Sequence, residues 1–170
     1  MKALKKQVTT NNMTAAVDVQ WAVDGKGLPS EQDIQSWVEA VLMQEQNGDS
    51  TEVELTVRIA SEEEVAELNQ QYRQKQGSTN VLSFPVDDEL PLDVPLLGDL
   101  IICAAVVERE AKQQNKTLLS HWAHMVVHGT LHLLGYDHIE VEQAQVMEQK
   151  EIIVLQGLGY SNPYEVTTVS

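Results

Sequence analysis

The alternation of apolar and polar residues along this chain predicts four β-strands. A first strand is indicated over residues 17–23, and shorter apolar runs indicate strands over 81–85 and 98–104. Pro85 ends the third strand and indicates an edge position, because proline cannot donate to a neighbouring strand. The clearest alternation covers residues 53–59 and directs four side chains inward: Val53, Leu55, Val57 and Ile59. Arg58 points to the other face.

Apolar residues spaced three and four apart predict five helices. Ser30 and Ser61 are predicted to cap the first two, each paired with an acid three residues later. The first helix ends near residue 46 and buries Ile34, Trp37, Val38, Val41 and Leu42. The other three are a charged helix ending near residue 114, a long apolar helix starting at Thr117 or Leu118, and a helix over about 140–157 with Met147 and Leu155 among its apolar positions.

These elements follow the order β-α-β-α-β-β-α-α-α, which favours an α+β fold. We expect one domain over residues 16–170, with a roughly four-stranded mixed sheet and helices packed mainly on one face. Residues 87–95 are predicted to form an acidic loop. Residues 1–15 carry three lysines and no acid, so they are predicted to form a flexible basic arm.

Composition narrows the class of protein. A length of 170 residues suits a single domain, and a net charge of −15 argues against simple coating of a nucleic-acid backbone. The single Cys103 excludes an internal disulfide; we interpret it as a core residue, with a catalytic thiol as the alternative. The chain lacks the apolar run of about 20 residues that a membrane span needs, and we expect a cytoplasmic protein.

The charge is unevenly distributed along the chain. Acids are missing between residues 67 and 87, where Arg73 and Lys75 occur, and again between residues 110 and 137. If these two segments meet in space, they form a locally positive cleft that attracts an anionic substrate. The alternative is that both segments lack acids because they are buried core segments. For the second segment, burial explains the absence of acids equally well.

The candidate chemistry lies in residues 128–138, where His128 and His132 are four apart and share one face of the long helix. Gly135 can take a positive φ and end the helix, so His138 can turn back toward the other two imidazoles. Three histidines with a fourth position left open are typical of a catalytic zinc site. The alternative is a packed or surface cluster of histidines.

The spacing His-x-x-x-His-x-x-Gly-x-x-His also matches the metal-binding pattern of metzincin proteases. Those enzymes carry a glutamate directly after the first histidine as general base. Gly129 occupies that position here. A peptidase is therefore disfavoured.

The full run of residues 128–138 closely resembles the signature of the YbeY family of single-strand-specific endoribonucleases, which act as rRNA maturation factors. The resemblance covers nearly the whole chain after the N-terminal arm. It includes Leu55-Thr56-Val57-Arg58, Leu68-Asn69 with Tyr72-Arg73, Thr79-Asn80-Val81-Leu82-Ser83-Phe84-Pro85, Leu97-Gly98-Asp99-Leu100 and His121-Trp122-Ala123-His124.

This resemblance implies that His128, His132 and His138 bind one Zn²⁺ and that Arg58, together with His128, is catalytic. It also implies a role in 16S rRNA 3′-end maturation and ribosome quality control, with single-stranded rRNA and the ribosome or its proteins as partners. Arg73 and Lys75 are candidate phosphate contacts. Without the resemblance, Arg58 would be interpreted as an ordinary exposed strand residue.

Several assignments stay open. Asp137 either orients a ligand imidazole or accepts backbone hydrogen bonds in its turn. His121 and His124 are interpreted as helix histidines with satisfied hydrogen bonds, and Tyr136 and Trp122 as packing residues. The nucleophile is either water activated by the metal or the RNA 2′-hydroxyl. The main rival function is a ribosome-assembly factor that holds a structural metal and binds RNA without cutting it.

Overall fold

The four predicted strands form one mixed sheet in a computed structural model that describes residues 14–45, 52–86 and 96–165. The strands are β1 (Thr14–Trp21), β2 (Glu52–Ala60), β3 (Val81–Pro85) and β4 (Leu96–Cys103). Their order is β1-β2-β4-β3; β2 pairs in parallel with both β1 and β4, and β3 runs antiparallel to β4. The edge position that Pro85 indicated for β3 is confirmed.

All five predicted helices are present: α1 (Glu31–Glu45), α2 (Glu62–Arg73), α3 (Ala104–Gln113), α4 (Leu118–Leu133) and α5 (Val141–Gly157). The two predicted caps are confirmed, since Ser30 Oγ accepts from the N–H of Asp33 at 3.0 Å and Ser61 Oγ from that of Glu64 at 3.2 Å. Among the helices that the structure describes, none is both long and apolar enough to cross a membrane.

Strand β1 differs from its predicted bounds because pairing with β2 sets its length. The paired register runs from Thr14 opposite Glu52 to Trp21 opposite Ile59. The last two residues of the predicted arm, 14 and 15, therefore belong to the strand. Residues 1–13 of that arm and the predicted loop at 87–95 lie outside the described residues.

Helices cover the two faces of the sheet unequally. The inward side chains of β2 pack with those of β4 against α1, α4 and α5 to form the main hydrophobic core. Among the described residues, the opposite face carries a smaller cluster, to which α2 contributes Val65 and Leu68. The predicted α+β arrangement, with helices mainly on one face, is confirmed. Helix α4 lies at the centre, in contact with α1, α3, α5, β3 and β4.

Two glycines permit close approaches that fix the position of α4 and β3. A Cβ at Gly129 would lie 2.8 Å from Leu100 Cδ2, so the missing side chain lets α4 lie close to β4. Gly98 has a φ of +137°, and a Cβ there would lie 2.2 Å from the carbonyl oxygen of Phe84. Helix α4 and the edge strand β3 can therefore both lie close to β4.

Candidate metal centre and cleft

The end of α4 brings the three motif histidines together. Gly135 adopts a φ of +104° and donates its N–H to the carbonyl of His132 at 3.0 Å. The N–H of Tyr136 donates to the carbonyl of Leu131 at 3.1 Å. This pair of bonds is the Schellman pattern of a helix end. It reverses the chain, as Gly135 predicted, and returns His138 to the face that carries His128 and His132.

The three imidazoles are close enough to share one ion. Their ring centroids are 4.7 Å (His128–His132), 5.0 Å (His132–His138) and 5.4 Å (His128–His138) apart, and their ligand nitrogens lie within 4.8 Å of one another. Burial and then the neighbouring imidazoles lower the pKa of His132. A low pKa favours the neutral form of His132 that a metal requires. The close grouping of the three imidazole nitrogens fits a metal ion.

Glu151 on α5 supports the site from behind. Its fully buried carboxylate accepts from His124 Nε2 at 2.9 Å, from His128 Nδ1 and from the Tyr164 hydroxyl. Burial raises the pKa of Glu151, but the hydrogen bonds from His124 and His128 outweigh burial and hold it at about 2. The carboxylate is therefore ionised. Because Glu151 accepts the hydrogen bond from Nδ1 of His128, the other ring nitrogen, Nε2, is left to bind a metal.

Sequence reasoning missed Glu151, although a signal was present. Glu151 lies four residues after Met147 and four before Leu155, both of which are buried on the inner face of α5. An acid in the middle of an apolar helix face is rarely buried without a partner. That position could have identified it as a partner of the histidines.

The other candidate residues on α4 and just after it have structural roles. The predicted hydrogen bonding of His121 and His124 is met at Nε2, whereas Nδ1 of each ring is buried without a partner among the described residues. His121 Nε2 lies 2.9 Å from Glu110 Oε1, and burial lowers the pKa of His121. Trp122 is buried in the main core. Tyr136 is also a packing residue. Its hydroxyl donates a hydrogen bond to Glu45, and the ammonium of Lys150 lies over its ring. Asp137 accepts the N–H of His138 at 2.7 Å, which favours the turn role over an imidazole contact.

A cleft of about 890 Å³ opens in front of the histidines. Its walls are the C-terminal end of α2, Lys75, residues 79–84 and the histidine motif. Arg73 and Lys75 both line it, whereas Asp137 is the only acid among the described residues that do. The two acid-poor segments of the sequence therefore meet in space. Burial does not explain the first of them, since Arg73 and Lys75 are exposed.

Arg58 lies outside the walls of this cleft. It projects from the less covered sheet face, as predicted, and its guanidinium donates to Glu64 at 2.6 and 3.1 Å and to Gln20 at 3.1 Å. The register places Arg58 beside Ile101, and Ile101 beside Leu82 at the cleft edge. Two strand spacings, roughly 10 Å, thus separate Arg58 from that edge.

Two alternative chemistries lose support. Cys103 is fully buried and burial raises its pKa, so it is a core residue as interpreted. At Gly129 a Cβ would lie 2.8 Å from Leu100 Cδ2 and 3.3 Å from Val81 Cγ2 in the sheet. A glutamate at that position would clash with the sheet, so the packing of α4 disfavours the base that a peptidase carries there.

Comparisons with known proteins identify the family. A family model described as Endoribonuclease YbeY matches residues 22–159. Endoribonuclease YbeY of Nitrosococcus oceani is 51% identical over 155 residues, which cover 90% of this chain and 99% of that protein. The solution structure of TM1509 from Thermotoga maritima has a TM-score of 0.58 and 32% identity, and the match covers 83% of this chain and 87% of that one. The chain therefore belongs to the YbeY family of endoribonucleases, hydrolases that act on RNA.

Proposed function

We propose that this protein is a zinc-dependent endoribonuclease that cuts single-stranded regions of rRNA. The main support for this proposal is that three histidines lie beside a cationic cleft in an otherwise strongly acidic chain. Imidazole nitrogens suit zinc, and three of them leave a position open for catalysis. Exposed cations in the same cleft suit the phosphates of RNA.

The chain's own residues would prepare the site as follows. His128, His132 and His138 hold the ion, and Glu151 fixes the ring of His128 through Nδ1. Zinc, when bound, supplies Lewis-acid polarisation of a phosphoryl oxygen and activation of water. Arg73 and Lys75 hold phosphates on the strand being cut.

Arg58 is proposed as a second functional residue beside His128, on the strength of the family resemblance. It lies on the same sheet face as Leu82 at the cleft edge, two strands away. Its side chain is 36% exposed and already paired with Glu64. Binding a phosphate there requires Glu64 to share or release the guanidinium.

The biological setting proposed is ribosome biogenesis in the cytoplasm, through 16S rRNA 3′-end maturation and ribosome quality control. The family supports this assignment. The net charge of −15 supports contact with basic ribosomal proteins elsewhere on the surface.

The test is cleavage of an end-labelled single-stranded RNA and of the same RNA in a duplex. We expect wild type to cut the single strand, His128→Ala to be inactive, and Arg58→Ala to be slowed. His121→Gln is the matched control, because His121 is buried beside Glu110 and a glutamine can replace its hydrogen bond. Equal cutting by wild type and His128→Ala, with both folded, would overturn the proposal.

A further inference from the structure

We propose that Tyr72, supported by Phe84, forms a stacking site for one unpaired nucleobase at the wall of the cleft. This inference rests on the proposed function and adds a determinant of single-strand selectivity to it. Tyr72 is on the last turn of α2 and Phe84 is on β3, and both line the cleft with the histidines.

The exposure of Tyr72 is the first observation. In a chain with eight aromatic residues (one Phe, three Trp, four Tyr), Tyr72 leaves 58% of its surface exposed, the largest exposed fraction among the aromatic residues that the structure describes as exposed. A tyrosine serving only as packing would turn its ring into a core. This ring instead presents apolar surface to the cleft.

The ring is nevertheless held in place. The Tyr72 and Phe84 centroids are 5.4 Å apart with an interplanar angle of 74°, an edge-to-face pair. Phe84 packs in turn against the smaller hydrophobic cluster that includes Leu82 and Val65. Tyr72 is therefore anchored on one side and open on the other, so a base would find a ring that is already oriented.

Cations flank the aromatic pair. Arg73 follows Tyr72 directly, and Lys75 comes next, beyond the left-handed residue Gln74. Asn69 donates to the carbonyl of Gly77 at 2.9 Å and so ties residues 74–80 to α2. Arg58, Arg109, Lys112 and Lys150 are paired with carboxylates, whereas Arg73 and Lys75 form no ion pair with any residue that the structure describes.

An aromatic face beside cations that can reach phosphates is the arrangement that binds single-stranded nucleic acid. In a duplex, each base is covered on both faces by its neighbours and cannot stack on a protein ring. Tyr72 thus favours RNA whose bases are free to leave the stack, and phosphate contacts at Arg73 and Lys75 would place that base within the cleft.

The test is steady-state cleavage of a single-stranded RNA and of versions that carry one abasic nucleotide at each position in turn. Stacking on an aromatic side chain corresponds to a loss of about 5- to 150-fold on its removal. We therefore expect Tyr72→Leu to raise KM by that factor with little change in kcat, and Tyr72→Phe to resemble wild type. One abasic position should raise KM for wild type but not for Tyr72→Leu.

Trp21→Leu is the matched control, since Trp21 is an exposed aromatic residue on β1 outside the cleft walls. Its KM should be unchanged. Stacking is overturned if Tyr72→Leu keeps the wild-type KM, if Tyr72→Phe loses as much as Tyr72→Leu, or if every abasic RNA affects wild type and Tyr72→Leu alike. Failure of wild type to cut RNA would instead overturn the proposed function.

Discussion

At the scale of single residues, Glu151 joins two α4 histidines and Tyr164 in one hydrogen-bond network. Its carboxylate is fully buried, ionised and shared among His124, His128 and Tyr164. Burial raises the pKa of Tyr164, so the phenol stays protonated and donates to the carboxylate. This network orients the ring of His128 before any ligand arrives, which reduces the entropy that metal binding must remove.

Replacement of Glu151 by glutamine should weaken zinc binding by about 10- to 100-fold, because the amide group offers a single acceptor oxygen in place of two. Competition with a chromogenic chelator measures this affinity. Glu148→Gln is the control, since Glu148 is exposed on the same helix. A wild-type affinity in Glu151→Gln, with the metal-free proteins equally folded, would remove the orienting role.

The contact between Glu151 and His128 also marks the limit of what the sequence predicts. The histidine triad was predictable because helix spacing and a helix-ending glycine are local features. The carboxylate that supports the triad is 23 residues away from His128, and its pairing depends on how α5 packs against α4. Likewise, the outward direction of Arg58 was predictable, but its pairing with Glu64 depends on where α2 crosses the sheet.

At the scale of secondary structure, the approach of β3 to β4 shapes one wall of the cleft. The pair ends with Pro85 opposite Gly98, where a side chain would collide with the Phe84 carbonyl. Local periodicity predicted both strands and the α+β class. It could not predict the order β1-β2-β4-β3, because that order depends on pairing between residues far apart in the chain.

Gly98→Ala should therefore destabilise the protein by about 3 kcal/mol, since it combines a positive φ with a backbone clash. Urea unfolding of the metal-free protein measures the change. Gly77→Ala provides the comparison: its φ is +86°, but a Cβ there meets nothing within 4 Å. We expect it to cost only about 1 kcal/mol. If the two variants are equally stable, the close approach does not constrain the sheet.

At the scale of the whole molecule, a net charge of −15 coexists with a cleft whose described charged side chains are mainly cationic. The overall field repels RNA at long range, while Arg73 and Lys75 attract phosphates at short range. Salt screens both effects, but each phosphate contact releases counterions and gives binding its own salt dependence.

Each phosphate contact on a single strand should contribute a slope of about 0.7 to the plot of log affinity against log salt. Arg73→Gln and Lys75→Gln should each lower that slope by about this amount and weaken binding to all RNA sequences alike. Lys112→Gln should leave it unchanged, because Lys112 pairs with Glu108 on α3 outside the cleft walls. An unchanged slope in the cleft variants would assign phosphate binding to other residues.

The most direct test of the central claim, that the three histidines hold a catalytic metal, joins metal content to RNA cleavage in one titration. Wild type is stripped with a chelator and zinc is then added back in measured equivalents, with His132→Ala and His121→Gln treated identically. We predict that wild type and His121→Gln recover cleavage of single-stranded RNA at one zinc per chain and that His132→Ala does not. Full cleavage by the stripped protein, or recovery by His132→Ala at the same equivalence, would contradict the account.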